Sequence, residues 1–240
     1  MKKESLLQLI TKYSLGDNIS TVLIKSENDT VSVDFISDDK TTKGTVVMND
    51  FKDLGEAELG IYNTGKLKKM LDVLDDTINV EYKKESAANK ISSVIFSDKK
   101  IKTKYVVCEQ SVIPVVPKLK TEPPYEIEID IDTNLIDDFI RVNNAIDAET
   151  FTVITNEDSV KFVFGHVQHT NTNTITLDVK PKVQAKIDEV TLNSNMLTEI
   201  LKANRESSGS IKISSAGLSF VKFISNKFET EYYLVAVQSI

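Results

Sequence analysis

Apolar residues recur at helical spacing in four places along the chain. They are Leu6, Leu7, Ile10 and Tyr13; Leu67, Met70, Leu71 and Leu74; Leu135, Ile136, Phe139 and Ile140; and Leu197, Ile200 and Leu201 with Met196 beside them. Each set fits the i, i+3, i+4, i+7 stripe of a helix buried along one face. Ser5, Thr64, Thr133 and Ser194 precede the stripes and are predicted to cap the helix N-termini. Between the helices the pattern changes to short β-branched and aromatic runs that partly alternate. TVLIKS, TVSVDFIS and GTVVM follow the first helix, and INVEYKK, ISSVIFSD and KIKTKYVV follow the second. FTVIT, SVKFVFG and TITLDVK follow the third, and SIKIS, GLSFVKFIS and FETEYYLVAV follow the fourth. Turns such as SEND, SDKK and NED separate them, so these runs are predicted as strands. AELGIY, EIEIDID and DEVTLN lead into the later three helices as further strands.

The spacing shows a duplication. Leu6 and Leu135 are 129 residues apart, and Leu67 and Leu197 are 130 apart. Within each half the helices lie 61 and 62 residues apart, which suggests a second halving. The hairpin VLIKSENDTVSV matches TVITNEDSVKF with one turn residue fewer. The predicted unit is strand–helix–three strands, used four times, and the leading strand of the first unit is not visible. QSVIPVVPKLKTEPP, residues 110–124, holds four of the five prolines and cannot continue a ladder. The expectation is an α+β protein of two similar domains, 1–109 and 125–240, joined by a connector over 110–124.

Composition narrows the chemistry. With 240 residues, 40% apolar and 27% charged, the chain can bury a core, and wholesale disorder is excluded. No run of about 18 apolar residues exists to span a membrane. MKKESLLQLITKYSL is broken by Gln8 and Lys12 and does not read as a signal peptide. The lone Cys108 suits a reducing cytoplasm and reads as a small apolar filler. Only His166 and His169 are available to a Ser/His/Asp or Cys/His site, and a Cys-rich zinc site is impossible. No enzyme, metal or cofactor is expected. GIYNTGKL, residues 60–67, nearly spells a phosphate-binding loop, but Leu67 lacks the hydroxyl and begins an apolar stripe. The H-x-x-H of His166 and His169 reads as a solvated loop. The pairs Asp38–Asp39, Asp75–Asp76 and Asp137–Asp138 read as turn or helix-end residues rather than catalytic carboxylates.

Charge is unevenly spread. The net charge is −7, carried by residues 125–240, whereas residues 1–109 hold 17 basic and 18 acidic side chains. Lys2, Lys3 and Lys12 in the first helix, and Lys66, Lys68 and Lys69 in the second, lie mostly off the apolar stripes. Lys202 and Arg205 accompany the fourth helix. In the third, Asp137 and Asp138 outweigh Arg141.

The duplicated order of elements, the proline-containing connector and the closing FETEYYLVAVQ with Tyr232, Tyr233 and Leu234 resemble the DNA sliding clamps, the ring-shaped polymerase processivity factors. The likeness covers nearly the whole chain, and the two-domain size resembles the trimeric clamps, those of myovirus-type tailed bacteriophages most of all. The resemblance implies a homotrimer with helices lining a hole and antiparallel sheets outside. An ATP-dependent clamp loader would place it on double-stranded DNA, without sequence preference, at the replication fork in the cytoplasm. It would tether DNA polymerase and, as in phage relatives, late-transcription factors. Lys2, Lys3, Lys12, Lys66, Lys68, Lys69, Arg141, Lys202 and Arg205 would then face phosphates, weakly and mainly from the first half. Subunits would join through the sheet edges 100–107 and 174–180, bringing in Ile101, Thr103, Tyr105 and Val107, and Ile175, Leu177 and Val179. Val112, Ile113, Val115 and Val116 of the connector, with Leu234, Val235, Ala236 and Val237, would form an apolar groove for partner peptides. A monomeric processivity subunit of the same fold and a β-rich structural virion protein are the alternatives.

Overall fold

Each of the four apolar stripes forms a helix, and the runs between them hydrogen-bond as antiparallel sheets. The computed structural model describes all residues except 86–89, 157–158, 167–171 and 238–240. The chain divides into two compact units. Unit 1 is Met1–Pro117 with Lys227–Thr230, and unit 2 is Lys118–Asn226 with the residues from Glu231 onward.

Unit 1 runs α1 (Lys3–Ser14), β1 (Val22–Glu27), β2 (Thr30–Ile36), β3 (Thr42–Met48), β4 (Ala57–Ile61), α2 (Thr64–Asp72), β5 (Asn79–Lys84), β6 (Ile91–Ser97) and β7 (Lys102–Val106). One sheet has the order β4-β1-β2-β3 and the other β5-β6-β7. Alternation fixes the register. Val31, Val33 and Phe35 of β2 are buried while Asp34 between them is exposed, and Val33 sits opposite Ile24 of β1. The β1–β2 turn places Asn28 and Asp29 at positive φ, the backbone a tight hairpin demands and these residue types tolerate. α1 and α2 pack together, with Leu6, Leu9, Ile10 and Tyr13 facing inward. The stripe of α1 is rotated from the one predicted: Leu9 is fully buried, whereas Leu7 is only half-buried.

Unit 2 runs β8 (Ile127–Ile131), α3 (Thr133–Ile146), β9 (Thr150–Asn156), β10 (Ser159–Phe164), β11 (Ile175–Val179), β12 (Val183–Gln184), β13 (Val190–Asn193), α4 (Ser194–Ala203), β14 (Ser208–Ile213), β15 (Leu218–Ile224) and β16 (Phe228–Val235). The first residues of β16 belong to unit 1. The sheets of unit 2 have the orders β11-β10-β9-β13 and β12-β8-β14-β15-β16. Phe139 of α3 meets Phe151 and Phe164 edge-on, with centroids 5.1 and 5.0 Å away. The two-residue β12 adds to the strand–helix–three-strand unit.

The helix caps lie one residue earlier than predicted. Asn63, Asp132 and Asn193 accept the backbone N–H of Lys66, Leu135 and Met196, each at 2.8 Å. Thr64 and Ser194 instead occupy the first helical position, fully buried. Their N–H groups donate to the carbonyls of Ser20 and Glu149, each at 3.0 Å, tying each second helix back to the loop after the first. Among the described residues α1 has no side-chain cap, and Ser5 lies inside it. The leading strand of the first unit is reduced to a stub. Lys2 bridges Thr77, and the Met1 amine donates to the Ile78 carbonyl at 2.7 Å.

Candidate nucleic-acid interface

α2 presents the clearest cationic face. The Asn63 cap starts the helix, and Leu67 and Leu71 turn inward with at most 2% exposure. Lys66, Lys68 and Lys69 therefore point to solvent, and among the described residues none has a carboxylate within ion-pair distance. Burial of Leu67 also disposes of the phosphate-loop reading of residues 60–67, which form the end of β4, the cap and the first turn of α2. Lys2 is exposed, and the Lys3 ammonium donates to the Leu74 carbonyl beyond the end of α2.

Lys12 is not available to phosphates. It is only 7% exposed, and its ammonium lies 5.0 Å from the centroid of the Phe228 ring. The cause is the rotated stripe of α1: Lys12 follows the buried Leu9 by three positions and falls on the inner border. Its methylenes are buried, and the ring face receives the charge.

The predicted phosphate-facing cations of unit 2 are already matched. Arg141 pairs with Asp138 at 2.7 Å, Lys202 with Glu199 at 2.8 Å, and Arg205 with Asp137 at 2.8 Å. The pair of Arg205 joins α4 to α3, which sequence spacing could not show. Between the same helices, the buried Asn143 amide donates to Asn195 and Thr198, each at 3.2 Å.

The candidate interface edges are strand edges, but several of the named side chains face inward. β7 and β11 each end a sheet. Tyr105 is 2% exposed; its hydroxyl accepts the Asn63 N–H and donates to the Asn63 carbonyl. Val179 is 7% exposed, and Thr103, Val107, Ile175 and Leu177 are half-buried. With a period of two, the face containing Tyr105 is the core face, so Val106 points outward and is exposed. Ile101 is exposed in the turn before β7. Tyr105 and Val179 thus support the edges from inside, and Val106 is the apolar side chain that β7 leaves exposed.

The predicted groove residues differ among themselves. Val112 and Val115 are exposed, the latter at 91%, whereas Ile113 and Val116 are half-buried. Leu234 belongs to the core of unit 2 and cannot line a groove. Val235 and Val237 are exposed. The N–H groups of Ala236 and Val237 donate to the carbonyls of Gly217 and Thr191, each at 2.8 Å.

The remaining polar candidates have local roles. Asp39 accepts from Ser37 and Thr41, and these bonds outweigh burial to hold its carboxyl below the usual range. His166 lies 3.4 Å from Glu189, and His169 lies outside the described residues. Among the described residues no three His, Cys, Asp or Glu side chains gather as a metal site would require. The Cys108 N–H donates to the Gly60 carbonyl at 2.9 Å, and a Cβ on Gly60 would meet the Cys108 carbonyl at 2.3 Å. Glycine is needed there for close approach.

No model of a known protein family matches the sequence, and no curated protein matches it. Among solved structures, the chain is similar to the proliferating cellular nuclear antigen of Entamoeba histolytica. The TM-score is 0.71 over 98% of this chain and 96% of that one, at 14% sequence identity. Two similar units, each with a helix pair and antiparallel sheets, and a match along nearly the full length of both chains show that this protein has the α+β fold of the sliding clamps.

Proposed function

We propose that this chain is the subunit of a homotrimeric DNA sliding clamp that tethers a replicative polymerase. The full-length match to a clamp-fold protein carries this reading. Two further features support it. Each unit ends one sheet in an open strand, β7 in unit 1 and β11 in unit 2, so head-to-tail pairing of copies closes a ring and hides both edges. The lysines of α2, which have no carboxylate partner among the described residues, supply sequence-independent attraction to phosphates, while the ion pairs of α3 and α4 keep those two helices near neutral. A ring is retained by topology, so weak attraction suffices and leaves it free to slide. The role is that of a non-enzymatic scaffold, with Val112 and Val115 as exposed apolar contacts for a polymerase or loader peptide. An ATP-driven loader, action at the replication fork and a phage-type link to late transcription complete the proposal.

Mass determination in solution, followed by retention on nicked circular and linearised DNA, tests it. Three copies per particle and loss only from linear DNA are expected after loading. A monomer, or equal loss from both DNAs, overturns the ring.

A further inference from the structure

Unit 2 shows how one end of this fold is finished. β8 lies antiparallel along β14, with Ile131 opposite Gly209 and Ile127 opposite Ile213. Ile127, Ile129 and Ile131 are buried on one face, and Ile211 and Ile213 of β14 are buried with them. The acidic residues between the isoleucines are met by lysines. Glu128 lies 3.7 Å from both Lys212 and Lys182, and Asp130 lies 3.6 Å from Lys182.

Unit 1 repeats the arrangement without the covering strand. β5 follows the second helix of its unit as β14 does, and it pairs with β6 on one side. On the other side, Met1–Lys3 bond to Asp76–Ile78, ahead of β5. Among the described residues no strand pairs with the outer edge of Asn79–Lys84. Val80 and Tyr82 are only half-buried, where Ile211 and Ile213 are at most 2% exposed. Glu81 is matched by Lys102 at 3.5 Å, but Lys83 and Lys84 are exposed and have no carboxylate at ion-pair distance among the described residues.

We propose that the outer edge of β5 is a docking site for an extended segment of a partner protein in which aliphatic and acidic residues alternate. The segment adds antiparallel to β5 as β8 adds to β14. Backbone N–H and C=O groups at a free sheet edge supply the hydrogen bonds, and alternate side chains supply the selection. The aliphatic side chains complete the cover of Val80 and Tyr82, and the carboxylates meet Lys83, which the period of two puts on the opposite face. This edge involves neither the α2 lysines nor β7 or β11, so it stands apart from the clamp reading.

The test uses the intact protein and a labelled peptide copying residues 125–131, Tyr-Glu-Ile-Glu-Ile-Asp-Ile. Saturable binding at one peptide per chain is expected, with slowed amide exchange at 79–84. N-methylation of the alternate amides that face β5 should abolish binding, and methylation of the other set should leave it. Lys83→Glu should weaken binding by up to roughly fivefold, the range for one exposed ion pair. Absence of saturation at millimolar peptide, equal binding by both methylated peptides, or protection at 102–106 or 175–179 in place of 79–84 overturns the proposal.

Discussion

The guanidinium of Arg205, just beyond α4, lies 2.8 Å from the carboxylate of Asp137 on α3. Both side chains are about half exposed, so the pair adds little to stability, roughly 0.2–1 kcal/mol. Its main effect is to cancel a positive charge that would otherwise be open to solvent. Asp137→Asn with Asp138→Asn is expected to release Arg205 and Arg141 while leaving the fold intact. Binding to duplex DNA should then strengthen, and its dependence on salt should steepen by up to about two units in the log–log slope. Fluorescence anisotropy at several salt concentrations checks this, and an unchanged slope would place these helices away from DNA.

Lys66, Lys68 and Lys69 pose the opposite case. Replacing all three by Glu should preserve the helix, because Leu67 and Leu71 hold its inner face. Polymerase processivity and retention on closed circles should fall. Circular dichroism and a primer-extension assay read the two effects separately, and unaffected synthesis would remove α2 from the DNA face.

Asp98 gives the edge strand β7 a dependence on acid. Its carboxylate accepts the N–H of Ile101 at 2.6 Å, of Lys100 at 2.7 Å and of Asp75 at 2.8 Å. These bonds hold its carboxyl below the usual range. A carboxyl depressed in the folded state contributes stability above its unfolded value of about 4, and that contribution is lost as pH falls through the lower folded value. The three amides should stay protected from exchange at neutral pH and lose protection in acid below about pH 4. Asp98→Ala should remove their protection at neutral pH, and equal exchange in the two proteins would contradict this anchor.

Val106 is the exposed apolar side chain on β7. On the proposed ring, Val106→Asp should separate subunits into folded monomers, because it places charge on the proposed closing edge without touching the core beneath Tyr105. Sedimentation with circular dichroism checks this, and an unchanged particle mass would move the interface elsewhere.

Phe139 joins α3 to the sheet of unit 2 through its contacts with Phe151 and Phe164. Phe139→Ala should cost about 3–5 kcal/mol. Denaturant unfolding followed by circular dichroism measures it, and a loss well under 2 kcal/mol would mean that the aromatic cluster repacks.

The number and order of helices, the runs that became strands and the internal duplication were legible because local periodicity and spacing along the chain carry them. Leu67 inside and Lys66, Lys68 and Lys69 outside follow from one helical turn. Partners distant in the chain were not legible. Leu9 shifted the buried face of α1 and took Lys12 with it, Asp137 claimed Arg205 across two helices, and the direction of Tyr105 turned the predicted face of β7 inward. Each outcome depends on which residues from separate segments share a volume. A linear pattern fixes the faces of an element only to within a residue or so, whereas burial and ion pairing are settled by the neighbour across the gap.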